Sequence, residues 1–191
     1  MPTLKGKTMG FVGFGDIGKT SAILAKQFGM KIIALRRNPN KKDNTIADEV
    51  LGPANKMRLF AESDFVVSVL PGTPETKNYC GAAEFAAMKT TGIFISVGRG
   101  LVVDENALVD AIIQGEIAGA ALDVFKTEPL PIDSKLWELD DKILLTAHNA
   151  DYTEDYWKSG IHIFEENLSA FCQGGTTDSD MTTPVDKESG Y

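Results

Sequence analysis

The chain has 191 residues, of which 43% are hydrophobic and 24% charged, and its 19 Lys and Arg against 27 Asp and Glu leave a formal net charge of −8. That is ordinary globular composition, and so acidic a surface argues against nucleic acid as a partner. Two cysteines, Cys80 and Cys172, make neither a disulfide framework nor a zinc pattern, and no run approaches the roughly 18 apolar residues of a membrane span.

Short runs rich in Val, Ile and Phe alternate with amphipathic stretches. Residues 8–14 read as a strand and 16–29 as a helix, with further strands expected at 31–35, 65–69, 93–97, 117–122 and 143–146. Helices are expected at 82–88, opened by the segment Thr73 to Thr76, and at 104–114, where Asp104 is a candidate N-cap. This alternation implies an α/β fold with a doubly wound parallel sheet, covered by helices on both faces. The pattern changes after His148. Trp157, Ile161, Phe164, Leu168 and Phe171 recur at intervals of 4, 3, 4 and 3, one stripe of a long helix within 152–173. Residues 176–191 are polar and turn-rich and, taken alone, read as a disordered tail. The expected domains are therefore 1–150 and an appended 151–191. The start of the chain lacks the apolar core of a signal peptide. A reducing, cytoplasmic setting is the default, with no signal that separates it from an organelle interior.

Gly13, Gly15 and Gly18 fall between the first strand and the first helix, in the spacing of a Rossmann-type dinucleotide fingerprint. Gly13 permits the tight turn, Gly15 lets the backbone approach a pyrophosphate, and Gly18 lets helix and strand pack closely. Asp16 and Ile17 open the helix, whose free N–H groups face an anion. The alternative is a glycine-rich turn without a ligand. About 20 residues on, where NAD binding calls for an acidic residue, the chain has Arg36 and Arg37, followed by Lys41 and Lys42. A guanidinium makes charge-assisted bonds to a 2′-phosphate that a carboxylate would repel, so NADP(H) is favoured. NAD(H) stays open through Asn38 or Thr45, or if the charges are only a solvated loop.

Three more segments carry chemistry at expected strand ends: Ser96 to Gly100, Leu122 to Pro131, and Thr146 to Ala150. With these, and with Leu70, Pro71, Thr73 and Thr76 after the strand at 65–69, the chain resembles the D-isomer-specific 2-hydroxyacid dehydrogenases, the group of glyoxylate/hydroxypyruvate reductases and phosphoglycerate dehydrogenases. The resemblance runs from Leu4 to the closing Tyr191. It implies hydride transfer between a nicotinamide cofactor and a small 2-keto or 2-hydroxy acid, with Arg99, Glu128 and His148 as the catalytic set. Each role suits its chemistry. Arg99 supplies a cation for the substrate carboxylate and carbonyl, His148 a proton for the developing alkoxide, and Glu128 orients the ring and favours its protonated form. The implied cofactor contacts are Gly13, Gly15, Asp16, Ile17 and Gly18; Arg36 and Arg37; Leu70, Pro71 and Thr76; Val97, Gly98 and Arg99; Asp123, toward the nicotinamide carboxamide; and His148. Cofactor domains of this family pair, so a homodimer is expected.

Other residues have plainer readings. His162 is packing or surface, Cys80 and Cys172 are buried small residues, Trp157 and Phe164 are core or interface, and Asp104 is a cap. Two departures stand out: Ser96 replaces the family's usual Asn, and Ala147 its usual Pro before the histidine. Family members also carry an N-terminal segment that forms most of the substrate domain, which is mostly absent here. The expectation is a fragment, a shortened product, or a substrate domain supplied by another chain. The competing functions are a nucleotide-sensing module like the corepressors that share this fold, and an inert truncated product.

Overall fold

β-Branched and aromatic runs with few charges can be satisfied only where both faces are covered, and here they form the centre of a parallel sheet. In the computed structural model, which describes residues 3–40, 46–175, 177 and 180–185, the first unit contains β1 (Thr8–Val12), α1 (Asp16–Gln27), β2 (Lys31–Leu35), β3 (Glu49–Leu51), α2 (Lys56–Glu62) and β4 (Phe65–Ser68). It continues with α3 (Ala82–Ala87), β5 (Ile93–Ser96), α4 (Glu105–Gln114), β6 (Gly119–Leu122) and β7 (Ile143–Leu145). The seven strands lie in the order β3-β2-β1-β4-β5-β6-β7 and every pairing is parallel. This is the expected doubly wound sheet. Its order reverses between β1 and β4, which opens a crevice at their carboxyl ends.

Alternate residues of one strand feed opposite layers. Val12 and Ile33 join a core with Leu59, Phe60, Phe85, Phe94 and Ile112, while their neighbours Phe11 and Ile32 pack with Phe14, Ala22 and Ala25 of the α1 side. Phe85 meets Phe94 edge to face at 5.1 Å between ring centroids. The Asp104 carboxylate accepts the Ala107 N–H at 3.2 Å, the expected cap of α4, and Gly115 ends that helix at a φ of 74°.

Several details differ from the sequence expectation. β3 and α2 were not anticipated; Arg58 of α2 bonds both Glu49 of β3 and Glu62 one turn away. Residues 74–76 form a separate 3₁₀ turn, and α3 opens instead after Gly81, whose N–H is accepted by Glu84 at 2.9 Å. Strand 117–122 is shortened to β6, with Ile117 buried ahead of it.

The second unit spans Asn149–Tyr191, the first Met1–His148. Its long helix, α5 (Tyr156–Cys172), lies within the expected stretch, and Trp157, Ile161, Phe164, Leu168 and Phe171 are all exposed. His162 faces Glu166 at 3.5 Å on the surface. Residues of the supposed tail are not without structure: Thr182 N–H donates to Asn167 Oδ1 at 2.8 Å and Asn167 Nδ2 donates to Thr183. The reading of both cysteines as buried fails for one of them. Cys80 is enclosed, and burial pushes its thiol up to about 12, whereas Cys172, at the last turn of α5, is exposed. No helix among the described residues is long and apolar enough to cross a membrane.

Candidate active site

The sheet ladder extends one residue beyond several strands. Val69 N–H bonds Val12 O, Val97 bonds Ser68 O, Asp123 bonds Ser96 O and Thr146 bonds Leu122 O, each at 2.9–3.2 Å. These bonds fix the first residue of each loop on the carboxyl edge, where the expected site residues gather.

At the crevice, the three glycines differ in what surrounds them. Gly13 has a φ of 93°, and a Cβ there would lie 3.0 Å from Leu70 Cδ2 and 3.2 Å from the Val69 carbonyl oxygen. A Cβ on Gly18 would press on the Gly13 carbonyl oxygen at 3.2 Å and on Phe14 and Val69. Gly15 is different: a Cβ there meets nothing within 4 Å. No packing among the described residues explains that glycine, so the space beside it has room for a group from outside. Gly15 is also the N-cap of α1 and makes no side-chain cap, so the first N–H groups of the helix point outward. Asp16 lies in the first turn, where the helix dipole favours a carboxylate, and Ile17 is exposed.

Arg36 and Arg37 follow β2 directly, and the Arg36 N–H bonds Leu51 O at 2.9 Å. Glu75 is held below the ordinary carboxylate range by the Thr73 hydroxyl and its own backbone, with the Arg37 charge adding to the effect. Within the 70–76 loop the Thr76 hydroxyl donates to Pro71 O at 2.6 Å and accepts the Thr73 N–H at 2.8 Å. Lys41, Lys42 and Thr45 lie outside the described residues.

Arg99 is exposed and its Nη1 donates to Gly98 O at 2.8 Å. Gly98 is buried, and a Cβ there would meet Leu70 O at 2.7 Å. Gly100 packs so closely on the Phe125 backbone that any side chain would overlap it. The loop after β5 and the loop after β6 are thus in direct contact, and Glu105 of α4 adds a carboxylate that accepts the Lys126 N–H at 2.5 Å.

Glu128 and His148 come together across 20 residues of sequence: His148 Nδ1 lies 2.7 Å from Glu128 Oε2. The other carboxylate oxygen accepts the Phe125 N–H at 2.9 Å. Burial works against the charged form of Glu128, yet the His148 and Phe125 hydrogen bonds, with the His148 and Arg99 charges, outweigh it and hold the carboxyl below its usual range. His148 takes a φ of 51°, in the left-handed region. Asp123 is 5% exposed and accepts the Thr146 hydroxyl at 2.5 Å.

Two partners were missed in the sequence reading. Thr146 and Glu105 are ordinary polar residues with no motif to single them out, and only the strand order brings Thr146 to Asp123. Ser96, in place of the family's Asn, is fully buried and its hydroxyl has no hydrogen-bond partner among the described residues.

Residues 1–150 match the family sequence model described as D-isomer specific 2-hydroxyacid dehydrogenase, NAD binding domain. The chain is 40% identical over 173 residues to a glyoxylate reductase of Thermococcus litoralis, covering 90% of this chain and 50% of that protein. It is 39% identical over 184 residues to glyoxylate/hydroxypyruvate reductase B of Escherichia fergusonii, covering 95% and 55%. Among solved structures, an NADPH-dependent glyoxylate/hydroxypyruvate reductase of Sinorhizobium meliloti, in complex with NADP and sulfate, superposes with a TM-score of 0.86 at 27% identity, covering 100% of this chain and 58% of that one. The chain spans about half the length of the curated relatives it matches.

Proposed function

The chain belongs to the D-isomer-specific 2-hydroxyacid dehydrogenase family, and from that premise we propose that it is the cofactor-binding half of a reductase acting on a small 2-keto acid of the glyoxylate or hydroxypyruvate class, with NADPH preferred over NADH. Residues 1–150 are the dinucleotide-binding domain in this reading, and 151–191 belong with the substrate half.

The observation that carries the proposal is the contact of His148 with Glu128 at 2.7 Å on the carboxyl edge of the sheet, beside the Arg99 loop. When bound, the cofactor supplies the hydride that goes to the carbonyl carbon. His148 gives a proton to the carbonyl oxygen from the ring nitrogen that does not face Glu128, and Glu128 stabilises the charged ring and fixes its orientation. Arg99 holds the substrate carboxylate and draws charge toward the oxygen. Gly13, Gly15 and Gly18, with the start of α1, hold the pyrophosphate; Arg36 and Arg37 hold the 2′-phosphate; Asp123 takes the nicotinamide carboxamide. The Leu70–Pro71 and Val97–Gly98 segments wall the crevice, and Thr76 shapes the first of these through its bonds inside the loop.

Titrating the chain with NADPH and NADH and following glyoxylate-dependent NADPH oxidation tests the proposal. Micromolar NADPH binding with weaker NADH binding, and turnover lost in His148→Ala, are the expected results. Failure of both cofactors to bind overturns it.

A further inference from the structure

The structure points to Thr146 as a positioning residue for the nicotinamide end of the site, and we propose that its hydroxyl sets the orientation in which Asp123 receives the cofactor's carboxamide. The inference rests on the reading of the crevice as a dinucleotide site. Asp123 and Thr146 are the first residues beyond β6 and β7, neighbouring strands, and each is pinned by a ladder hydrogen bond, to Ser96 O and to Leu122 O. Both backbones are therefore fixed before either side chain is placed. The Thr146 hydroxyl then donates to Asp123 Oδ1 at 2.5 Å, a charge-assisted bond in the short range.

Asp123 is 5% exposed. A carboxylate so enclosed needs donors, and one whose rotamer is set by a neighbour is prepared to accept an amide NH₂ without rearranging first. Thr146 is itself exposed, so its hydroxyl is not required to fill the core. Its removal is expected to act on the ligand rather than on the fold.

The test compares Thr146→Val, which keeps the shape and loses the donor, with Thr146→Ser, which keeps the donor. Each is titrated with NADPH and with 2′-phospho-ADP-ribose, a probe that carries the adenosine, its 2′-phosphate, the diphosphate and the second ribose but no nicotinamide. Thr146→Val should weaken NADPH binding about tenfold and leave 2′-phospho-ADP-ribose within about twofold of wild type, while Thr146→Ser restores NADPH binding. Equal losses for both ligands in Thr146→Val mean a merely structural role and overturn the proposal, as does an unchanged NADPH affinity. If the wild-type chain binds neither ligand, the dinucleotide reading falls and the inference falls with it; if it binds both and the variants match it, the inference alone fails.

Discussion

Substituting Gly15 with alanine separates a residue needed by a ligand from residues needed by the fold. At φ −87° and ψ −154°, the backbone of Gly15 accepts an L residue, and a Cβ there meets nothing within 4 Å. Alanine gains about 0.4–1 kcal/mol by restricting the unfolded chain, and loses about as much by being a poorer N-cap than glycine. Stability should stay within about 1 kcal/mol of wild type. In the proposed reading the added methyl projects into the pyrophosphate's space, and overpacking of that kind costs about 1–3 kcal/mol. The dissociation constant for NADPH should therefore rise about 5- to 150-fold. Gly13→Ala is the counterpart: its φ of 93° and contacts at 3.0 and 3.2 Å put the strain in the protein, and about 1–3 kcal/mol of stability should be lost. Urea unfolding and calorimetric titration of both variants measure the two quantities. A Gly15→Ala chain that binds NADPH as tightly as wild type, or is as destabilised as Gly13→Ala, refutes the assignment of that space to a ligand.

Arg36→Asp should weaken NADPH binding about 10- to 100-fold and narrow or reverse the preference over NADH; unchanged discrimination in paired titrations would count against a 2′-phosphate site after β2. His148→Ala should lower glyoxylate reduction about 10²–10⁴-fold, and retained turnover in steady-state assays would remove the histidine from the chemistry. The Glu128 carboxyl is held below its ordinary 4.5 in the folded chain, so its contribution to stability is present above about pH 4.5 and is lost as the pH falls through the folded value. The stability deficit of Glu128→Gln in urea should thus be full near neutral pH and vanish in acid; a deficit that ignores pH would contradict the pairing. The exposed Trp157, Phe164 and Phe171 of α5 should drive self-association, and light scattering that reports a monomer at every concentration would argue otherwise.

Some of this molecule is readable from its residues because of where the residues end up. β1 and β2 are covered on both faces, which demands uninterrupted apolar runs, and such runs are visible. β3 has only Val50 and Leu51 beside Glu49, and α2 buries only Leu59 and Phe60; segments so short contain less than one full period of either pattern. The glycine loop is local, so its spacing carries its meaning. The Glu128–His148 and Asp123–Thr146 contacts join residues 20 and 23 apart, and they exist because β6 and β7 are neighbours. Spacing alone does not hold that information. The family resemblance supplied the first pair, and Thr146, which no motif marks, emerged only from the folded arrangement. Cys172 shows the reverse error: average cysteine behaviour says buried, but the residue closes the last turn of α5, where it is exposed.

The contact of Gly100 with the Phe125 backbone bears on how such a protein can change over time. Because the loops carrying Arg99 and Glu128 touch through a position with no side chain, an insertion in either would separate them and damage both at once. Heritable variation in length has little room there. The segment that follows Arg36 and Arg37 joins β2 to β3, far along the chain from the loops that carry Glu128 and His148. In the proposed reading, exchange of one nicotinamide cofactor for the other is accordingly a short evolutionary step, whereas the acid–base pair is inherited whole or lost.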